Sequence, residues 1–401
     1  MENRYDKYKD SGIAWIGNIP EHWEVKKLGH LYIPRNEKVS DKDYPALSVT
    51  MQGVLLQLEN VAKTNDGDNR KLVKIGDFAI NSRSDRRGSC GISKYDGSVS
   101  LINIVLTPIN DMNPVYYEWL FHSSLFSDEY YRWGHGIVND LWTTRWQEMK
   151  NIQIAAPPLH EQQLIATYLD QKCSEIDELI TLQEEMITKL QSYKQSVITE
   201  AVTKGLDKNV PLKDSGIEWI GEIPEHWKIT KIQYLAQLKS GYNLTTEEIK
   251  DSGLYPVYGG NGIRGYYDKY FLEGDYVLIG RQGALCGNIN YSTGKSWATE
   301  HAVVCYPKTK YITKWFGELL RVMNLNQYSL AAAQPGLAVE RIKLLPIPII
   351  PLSEQQSIAD YLDQKCSEID ELISIKQQKI EKLKDYKKSL IFECVTGKRK
   401  V

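Results

Sequence analysis

Two blocks of this chain return almost unchanged, and that duplication restricts its architecture more than any other feature. Lys9 to Trp23 (KDSGIAWIGNIPEHW) reappears as Lys213 to Trp227 (KDSGIEWIGEIPEHW), identical at 13 of 15 positions. Pro158 to Ile180 (PLHEQQLIATYLDQKCSEIDELI) reappears as Pro351 to Ile373, identical at 20 of 23. The offsets are 204 and 193 residues, so the lengths between blocks differ while their order is kept. Solenoid units repeat every 20–50 residues or so, and a period near 200 therefore means tandem duplication. The stretches between the blocks, 24–156 and 228–349, resemble each other only weakly. Unchanged connectors around divergent inserts imply a shared scaffold carrying two inserts with separate jobs. Two similar domains on a plain linker would not need such identity, because a linker is defined by length and stiffness rather than by sequence.

The second block opens a helix. Glu161 to Thr203 contains neither Gly nor Pro, and Leu169, Cys173, Ile176, Ile180, Ile187, Leu190, Val197 and Ala201 step by three, four or seven, a heptad seam. The second copy carries Leu362, Cys366, Ile369, Ile373, Ile380, Leu383, Leu390 and Cys394 and stops at Gly397. A single apolar stripe is not stable in water, so the two helices are expected to bury their seams against each other. Gln183 and Lys194, matched by Lys376 and Lys387, interrupt the seams and are expected to fix register at some cost in stability. Packing about a pseudo-twofold axis makes the helices antiparallel and puts the inserts at opposite ends of a rod of roughly 64 Å.

With 401 residues, 42% hydrophobic and 25% charged, the chain has the composition of a soluble protein of two or three domains. It has no apolar run of spanning length and no signal-peptide core near its start, which predicts a cytoplasmic location. Six scattered cysteines (Cys90, Cys173, Cys286, Cys305, Cys366, Cys394) lack C-x-x-C or zinc-ligand spacing and read as buried thiols. The net charge of −2 hides a segregation of about +5 in 228–349, 0 in 24–156 and −4 in 157–211. Only the second insert has the basic balance common in nucleic-acid binders.

Each insert runs Gly-Asp, an apolar strand, then Arg: Gly76-Asp77 to Arg83, and Gly274-Asp275 to Arg281. Gly-rich loops follow, Gly88-Ser89-Cys90-Gly91 and Gly283-Ala284-Leu285-Cys286-Gly287. An exposed Arg at such a place suits a phosphate or a guanine, whose acceptors match its planar fork. The competing reading is a salt bridge to the preceding Asp. Around these arginines stand Ser84, Arg86, Arg87, Asn103, Trp142 and Arg145 in the first insert, and Asn261, Arg264, Gln282, Trp297 and His301 in the second. They mix side chains that read base edges with aromatics, although each alone is commonly an ordinary surface or core residue. Three catalytic look-alikes lack their context. Gly260 to Gly265 matches G-x-G-x-x-G but strand-like, Tyr-rich sequence follows where a helix belongs; Gly294-Lys295-Ser296 lacks the first Gly of a P-loop; Asn113-Pro114-Val115-Tyr116 resembles a methyltransferase N-P-P-Y with no Gly-rich cofactor loop upstream.

The paired K-D-S-G-I-x-W-I-G-x-I-P-E-H-W and P-L-x-E-Q-Q-x-I-A-x-Y-L-D blocks, with the G-D…R loops, resemble the DNA-specificity subunit of type I restriction-modification enzymes over nearly the whole chain. The resemblance implies an α/β multi-domain protein: a segment 1–23, a target-recognition domain 24–156, a helical spacer 157–211, a repeated segment 212–227, a second target-recognition domain 228–349 and a helical spacer 350–401. It further implies that each insert reads one half of a bipartite, asymmetric DNA site, that the helices set the spacing and dock two DNA-methyltransferase subunits, and that motor-nuclease subunits join the complex. In that family S-adenosylmethionine, ATP and Mg²⁺ belong to the partner subunits, and the specificity subunit has no catalytic centre and no metal. The alternative, a methyltransferase or nuclease fused to its own recognition domains, would need roughly 200 further residues of cofactor domain.

If helix length sets the spacing of half-sites, one heptad added to both helices extends the rod by about 10 Å, roughly three base pairs, and keeps the seams in phase. Methylome sequencing of cells carrying the lengthened protein should show a spacer grown by that amount. An unchanged spacer in an active variant would show that domain tilt sets the geometry instead.

Overall fold

The first repeated block is a small hairpin whose turn demands glycine. Tyr8–Asp10 pairs antiparallel with Asn18–Pro20, and Leu212–Asp214 with Glu222–Pro224. Gly12 and Gly17 (φ +69° and +72°), like Gly216 and Gly221 (both +71°), sit in the left-handed region that side chains disfavour. Ile13, Ile16, Ile19 and Trp23 in one copy, and Ile217, Ile220, Ile223 and Trp227 in the other, point inward. The structure, a computed structural model, describes residues 4–57, 67–83, 86–109, 111–136, 142–283, 285–329 and 336–401. It divides into two units, residues 1–184 with 377–401, and residues 185–376.

In both units the second block ties the first to the insert through consecutive side chains. The Glu161 carboxylate accepts hydrogen bonds from Tyr5 Oη (2.9 Å) and Trp23 Nε1 (2.9 Å), with His22 Nε2 at 2.6 Å. Glu354 likewise accepts from Trp227 Nε1 (2.9 Å), with His226 Nε2 at 2.8 Å. One residue on, Gln162 Oε1 accepts from Asn113 N–H (2.8 Å) and its amide donates to Pro157 O (2.8 Å). Gln355 does the same with Ile312 N–H (2.9 Å) and Ile350 O (3.0 Å). The Glu-Gln pair is thus spent on fixed, buried or half-buried geometry. A glutamine side chain both accepts and donates in these bonds, and a glutamate accepts in two or three, which fits the presence of the same Glu-Gln pair in both blocks.

The repeated block begins helices of 46 and 44 residues, Leu159–Lys204 and Leu352–Val395. In the first unit Leu169, Cys173 and Ile176 share a core with Leu390, Ile391 and Cys394, and Lys387 binds Asp177 (2.6 Å). In the second, Val197, Ile198 and Ala201 share one with Ile358 and Leu362, and Lys194 binds Asp370 (2.6 Å). Within each unit the helix segments therefore run antiparallel. Lys194 and Lys387 do mark register, through ion pairs whose partial exposure limits each to about 0–1 kcal/mol. Gln183 is buried with its carbonyl oxygen unpaired. Ile165, Ala166, Ile198 and Val202, outside the heptad stripe, are buried too. Near its ends each helix must cover the repeated hairpin and the insert as well as the other helix, so the stripe widens there.

The helix ends close against the hairpins. Gly205 (φ +76°) lies against Trp227, and Gly397 (φ +72°) against Pro20 and Trp23. In the first unit Tyr116 Oη donates to Val395 O (2.9 Å), tying the insert to the last turn of the second helix. Five of the six cysteines are buried and Cys366 is half-buried. Burial pushes the thiols of Cys173 and Cys394 up to about 11 and about 12, as befits inert core residues.

The inserts share one frame despite their weak sequence likeness. Each is closed at its base by an antiparallel pair, Glu24–Lys27 with Gln153–Ala156 and Lys228–Lys231 with Pro346–Ile349. Each holds a four-stranded antiparallel sheet in the same order: Cys90–Ile92, Phe78–Asn81, Asn103–Pro108, Tyr32–Pro34 in one, and Ile289–Ser292, Tyr276–Gly280, Ala302–Pro307, Ala236–Ser240 in the other. Helices Pro114–His122 and Thr313–Val322 cover these sheets with Tyr116, Tyr117, Leu120 and Phe121, and with Trp315, Phe316, Leu319 and Leu320. Around them the inserts differ. The first adds strands Gly97–Val99, Arg70–Val73 and Lys38–Val39 and a hairpin Leu47–Thr50/Gly53–Leu56; the second adds a four-stranded sheet in which Tyr255–Gly259 and Lys295–Ala298 run parallel.

Burial alone would raise the Glu161 carboxyl, but the bonds from Trp23, His22 and Tyr5 outweigh it and hold the group below the usual glutamate range. A depressed folded value stabilises the ionised state above the unfolded pKa, and this contribution disappears as pH falls from about 4.3 through the lower folded value. Glu161→Gln should cost the first unit about 1–3 kcal/mol near neutrality and flatten its acid sensitivity over that window. Hydrogen exchange of residues 5–23 between pH 3 and 7 checks both. An acid profile matching that of the unaltered chain would show that the carboxylate is not the anchor.

Candidate nucleic-acid interface

In both inserts the arginine leaves the sheet where a central strand ends, and in neither does it bind the preceding aspartate. Asp77 is buried and already accepts from Arg35 Nε (2.6 Å) and Nη2 (3.1 Å), Thr107 Oγ1 (2.9 Å) and Lys74 N–H (2.9 Å). Arg83 is exposed; its backbone N–H is held by Asn81 Oδ1 (3.0 Å) and it bridges to Thr143. Arg281 is half-buried and donates from Nη1 to Ser240 Oγ (3.2 Å). The salt-bridge reading of these arginines is thereby replaced: Arg35 is the partner of Asp77, and Ser240 that of Arg281.

In the first unit Arg83, Arg86, Arg87 and Trp142 come together around a recess floored by Phe121, Phe126, Tyr130 and Tyr131. Arg87 lies 3.8 Å above the Tyr131 ring and pairs with Asp128 at 3.2 Å. Trp142 donates to Tyr131 O (2.9 Å) and packs so closely on Gly134 that a Cβ there would meet its indole at 2.5 Å. Arg145 is exposed outside this recess, at the start of the short helix Trp146–Met149, where its N–H is held by Glu148 (3.1 Å). Asn103 is buried; its side-chain amide donates to Ser100 O (3.1 Å), its backbone carbonyl accepts from Lys71 Nζ (2.6 Å), and its side-chain oxygen has no partner among the described residues. Ser84 lies outside the described residues.

In the second unit Arg281 is fixed along its whole backbone, its N–H donating to His301 O (2.8 Å) and its carbonyl accepting from Leu337 (2.9 Å). Gly280 and Gly260 approach so closely that a Cβ on Gly280 would stand 2.1 Å from Gly260 O, and Gly260 in turn faces His301 O and Gln282 O. This contact gathers Arg281, exposed Gln282, His301 and exposed Asn261, the last held by Asn288 Nδ2 (2.6 Å). His301 pairs with Glu300 at 3.1 Å. Arg264 is exposed on the strand Gly262–Tyr267 and folds over Gly259. Trp297 is half-buried among Tyr242, Tyr267 and Phe271. Ser240, Tyr242, Asn288 and Glu300 were not singled out from sequence. Ser240-Gly241-Tyr242, a Gly between polar and aromatic residues at a strand end, was the available signal; the others have none.

The look-alikes resolve into structure. Gly260–Gly265 spans the turn and outgoing strand of a hairpin, Gly294-Lys295-Ser296 lies at a turn into the strand Lys295–Ala298, and Asn113 caps a helix by accepting from Tyr116 N–H (3.0 Å). Among the described residues no group of three His, Cys, Asp or Glu is placed to hold a metal ion, and no helix is long and apolar enough to cross a membrane.

The profile of the type I restriction modification DNA specificity domain matches twice, over residues 20–191 and 224–385. The chain belongs to that family. It is 25% identical over 423 aligned residues to the MjaVIII specificity subunit of Methanocaldococcus jannaschii, covering 96% of this chain and 94% of that one. It is 40% identical over 134 residues to the EcoprrI specificity subunit of Escherichia coli, a match spanning 32% of this chain and 33% of the relative. Two solved structures share the fold at low identity. One is a chain from work on complex assembly and conformational transition of the type I R-M system (TM-score 0.75, 14% identity, 94% of this chain and 98% of that one). The other is the HsdS subunit of Thermoanaerobacter tengcongensis (TM-score 0.56, 16% identity, the same coverage). The duplicated frame is thus that of a type I specificity subunit, and the arginine loops lie in its DNA-specificity domains.

Arg281→Ala should impair DNA binding while leaving assembly intact. A guanine held through both nitrogens would cost about 1–3 kcal/mol at one base position, whereas a phosphate contact would weaken all sequences alike and lower the salt slope by about one. Affinities for the cognate site and its single-base variants at two salt concentrations distinguish the two. A variant with unaltered affinity and specificity would make Arg281 a structural partner of Ser240 alone.

Proposed function

We propose that each unit reads one half of a bipartite, asymmetric DNA site and that the chain performs no chemistry itself, acting in the cytoplasm within a complex of two DNA-methyltransferase subunits and motor-nuclease subunits. S-adenosylmethionine, ATP and Mg²⁺ then act in those partners. One observation carries this reading: the same strand-arginine-glycine apparatus is built twice on one frame and is lined differently each time. Three arginines and aromatics surround the first, against Ser240, Gln282, His301 and Asn261 around the second. Identical frames place the two sets alike, and dissimilar linings accept different bases.

The helices support two copies of one partner. Leu179, Leu182 and Tyr386 are exposed in the first unit, and Leu372, Ile375 and Tyr193 in the second. These positions are 193 residues apart in every case, the offset of the repeated block. Apolar side chains exposed twice in the same pattern suit the same surface presented twice.

Reconstitution tests this. The chain with labelled S-adenosylmethionine and cognate DNA should incorporate nothing above background, and adding methyltransferase subunits should give a 2:1 complex that methylates. Replacing 24–156 by the matching insert of a relative should alter one half of the recognised sequence. Turnover by the chain alone, or altered recognition of both halves after one exchange, would overturn the proposal.

A further inference from the structure

Beside Arg281 the second unit holds an aromatic side chain on a backbone too well fastened to be a casual surface residue. Tyr242 follows the strand Ala236–Ser240 and is 62% exposed. Exposure alone means little, since single apolar rings are common on surfaces. The main chain beneath it is the distinguishing feature. Gly241 N–H donates to Ala302 O (2.9 Å) and Tyr242 N–H to Ala298 O (3.0 Å), while Tyr242 O accepts from Trp297 Nε1 (3.3 Å). A Cβ at Gly241 would stand 2.0 Å from Ala298 O, so glycine is required for this approach. On the other side of that glycine, Ser240 Oγ receives the Arg281 guanidinium.

The ring is as constrained as its backbone. It stands edge-on to Phe271 at 4.8 Å and tilted to Trp297 at 6.3 Å, while Phe271 and Trp297 pack on each other at 5.0 Å. Those two rings also contact each other without Tyr242, whose own ring is supported on one side and leaves most of its surface open. The result is a preorganised aromatic next to a cation in the more basic insert. Little entropy is lost when a flat apolar group meets a ring already held in place.

We infer that Tyr242 is a specificity-determining residue of the second half-site, its ring lying against a nucleobase, either the exposed face of a base or the methyl group of a thymine. This rests on the half-site reading above. Contacts of this class need the ring and not its hydroxyl. Stacking of a base on an aromatic contributes from several-fold to about a hundredfold in affinity by alanine substitution. The inferred role differs from a phosphate contact of Arg281, because an apolar contact leaves the salt slope unchanged.

The test uses the full chain assembled with its methyltransferase subunits, on cognate DNA and on DNA with the second half-site scrambled. Tyr242→Ala is expected to weaken cognate binding about tenfold, to leave the scrambled site and the salt slope unaltered, and Tyr242→Phe to bind like the unaltered chain. Uracil in place of each thymine of the second half-site identifies the methyl, where one substitution should reproduce the alanine loss and add nothing to it. 2-Aminopurine identifies a base face, where fluorescence should change on binding and fail to do so with Tyr242→Ala. A folded Tyr242→Ala complex with unaltered affinity overturns the inference, as does equal loss with Tyr242→Phe, which would assign the effect to the hydroxyl, or an alanine loss with neither base probe responding, which would place the ring on the sugar. Failure of the half-site reading looks different: the unaltered complex would itself bind cognate and scrambled DNA alike.

Discussion

A carboxylate near the start of each long helix is the constraint on which the rest depends. Glu161 and Glu354 each hold the Trp and His of a distant hairpin, and the following glutamine holds the first turn of a helix in the insert. Three segments, one more than a hundred residues away and one 43 or 49 away, are thereby fixed by two adjacent side chains. The sheet strand that ends in Arg83 or Arg281 is packed under that same insert helix, so the arginine inherits its position from the block. Freedom to vary is left to the surfaces that the block does not reach.

This separation explains what could be read from sequence. Heptad spacing and near-identical blocks are visible in a string of letters, and they led to the antiparallel pairing and the register lysines, while the α/β class came with the family resemblance. The common four-stranded frame of the inserts was not legible, because strand order is decided by burial, and many apolar residues serve equally at Ile80 or Leu278. The burial of Asn103 was hidden for a related reason: an asparagine beside a loop looks exposed in a string of letters, and only the fold shows its amide held by Ser100 O. The partner of Arg281 was missed because Ser240 lies 41 residues away, and nothing in the Ser240-Gly241-Tyr242 strand end ties it to that arginine.

The two linings show how one frame serves two chemistries. Arg87 stacked on Tyr131 and paired with Asp128 is held in a defined orientation within an insert whose net charge is near zero. The second lining relies on backbone closeness. Gly241, Gly260 and Gly280 let three segments touch, and the side chains that flank them are aimed by main-chain bonds. A glycine replaced there would displace neighbours without touching any ligand.

The first unit draws on residues at both extremes of the chain, 1–184 and 377–401, whereas the second is continuous. On a ribosome making about 5–20 residues per second, some 190 residues and roughly 10–40 seconds separate the two parts of the first unit. During that interval Trp23, Tyr116 and Leu169 wait for Gly397, Val395 and Leu390, and the core they share stays open to water. The half of the protein that is synthesised first is completed last, so termination after Lys376 but before the final turn of the second helix would leave the second unit whole and the first unfinished.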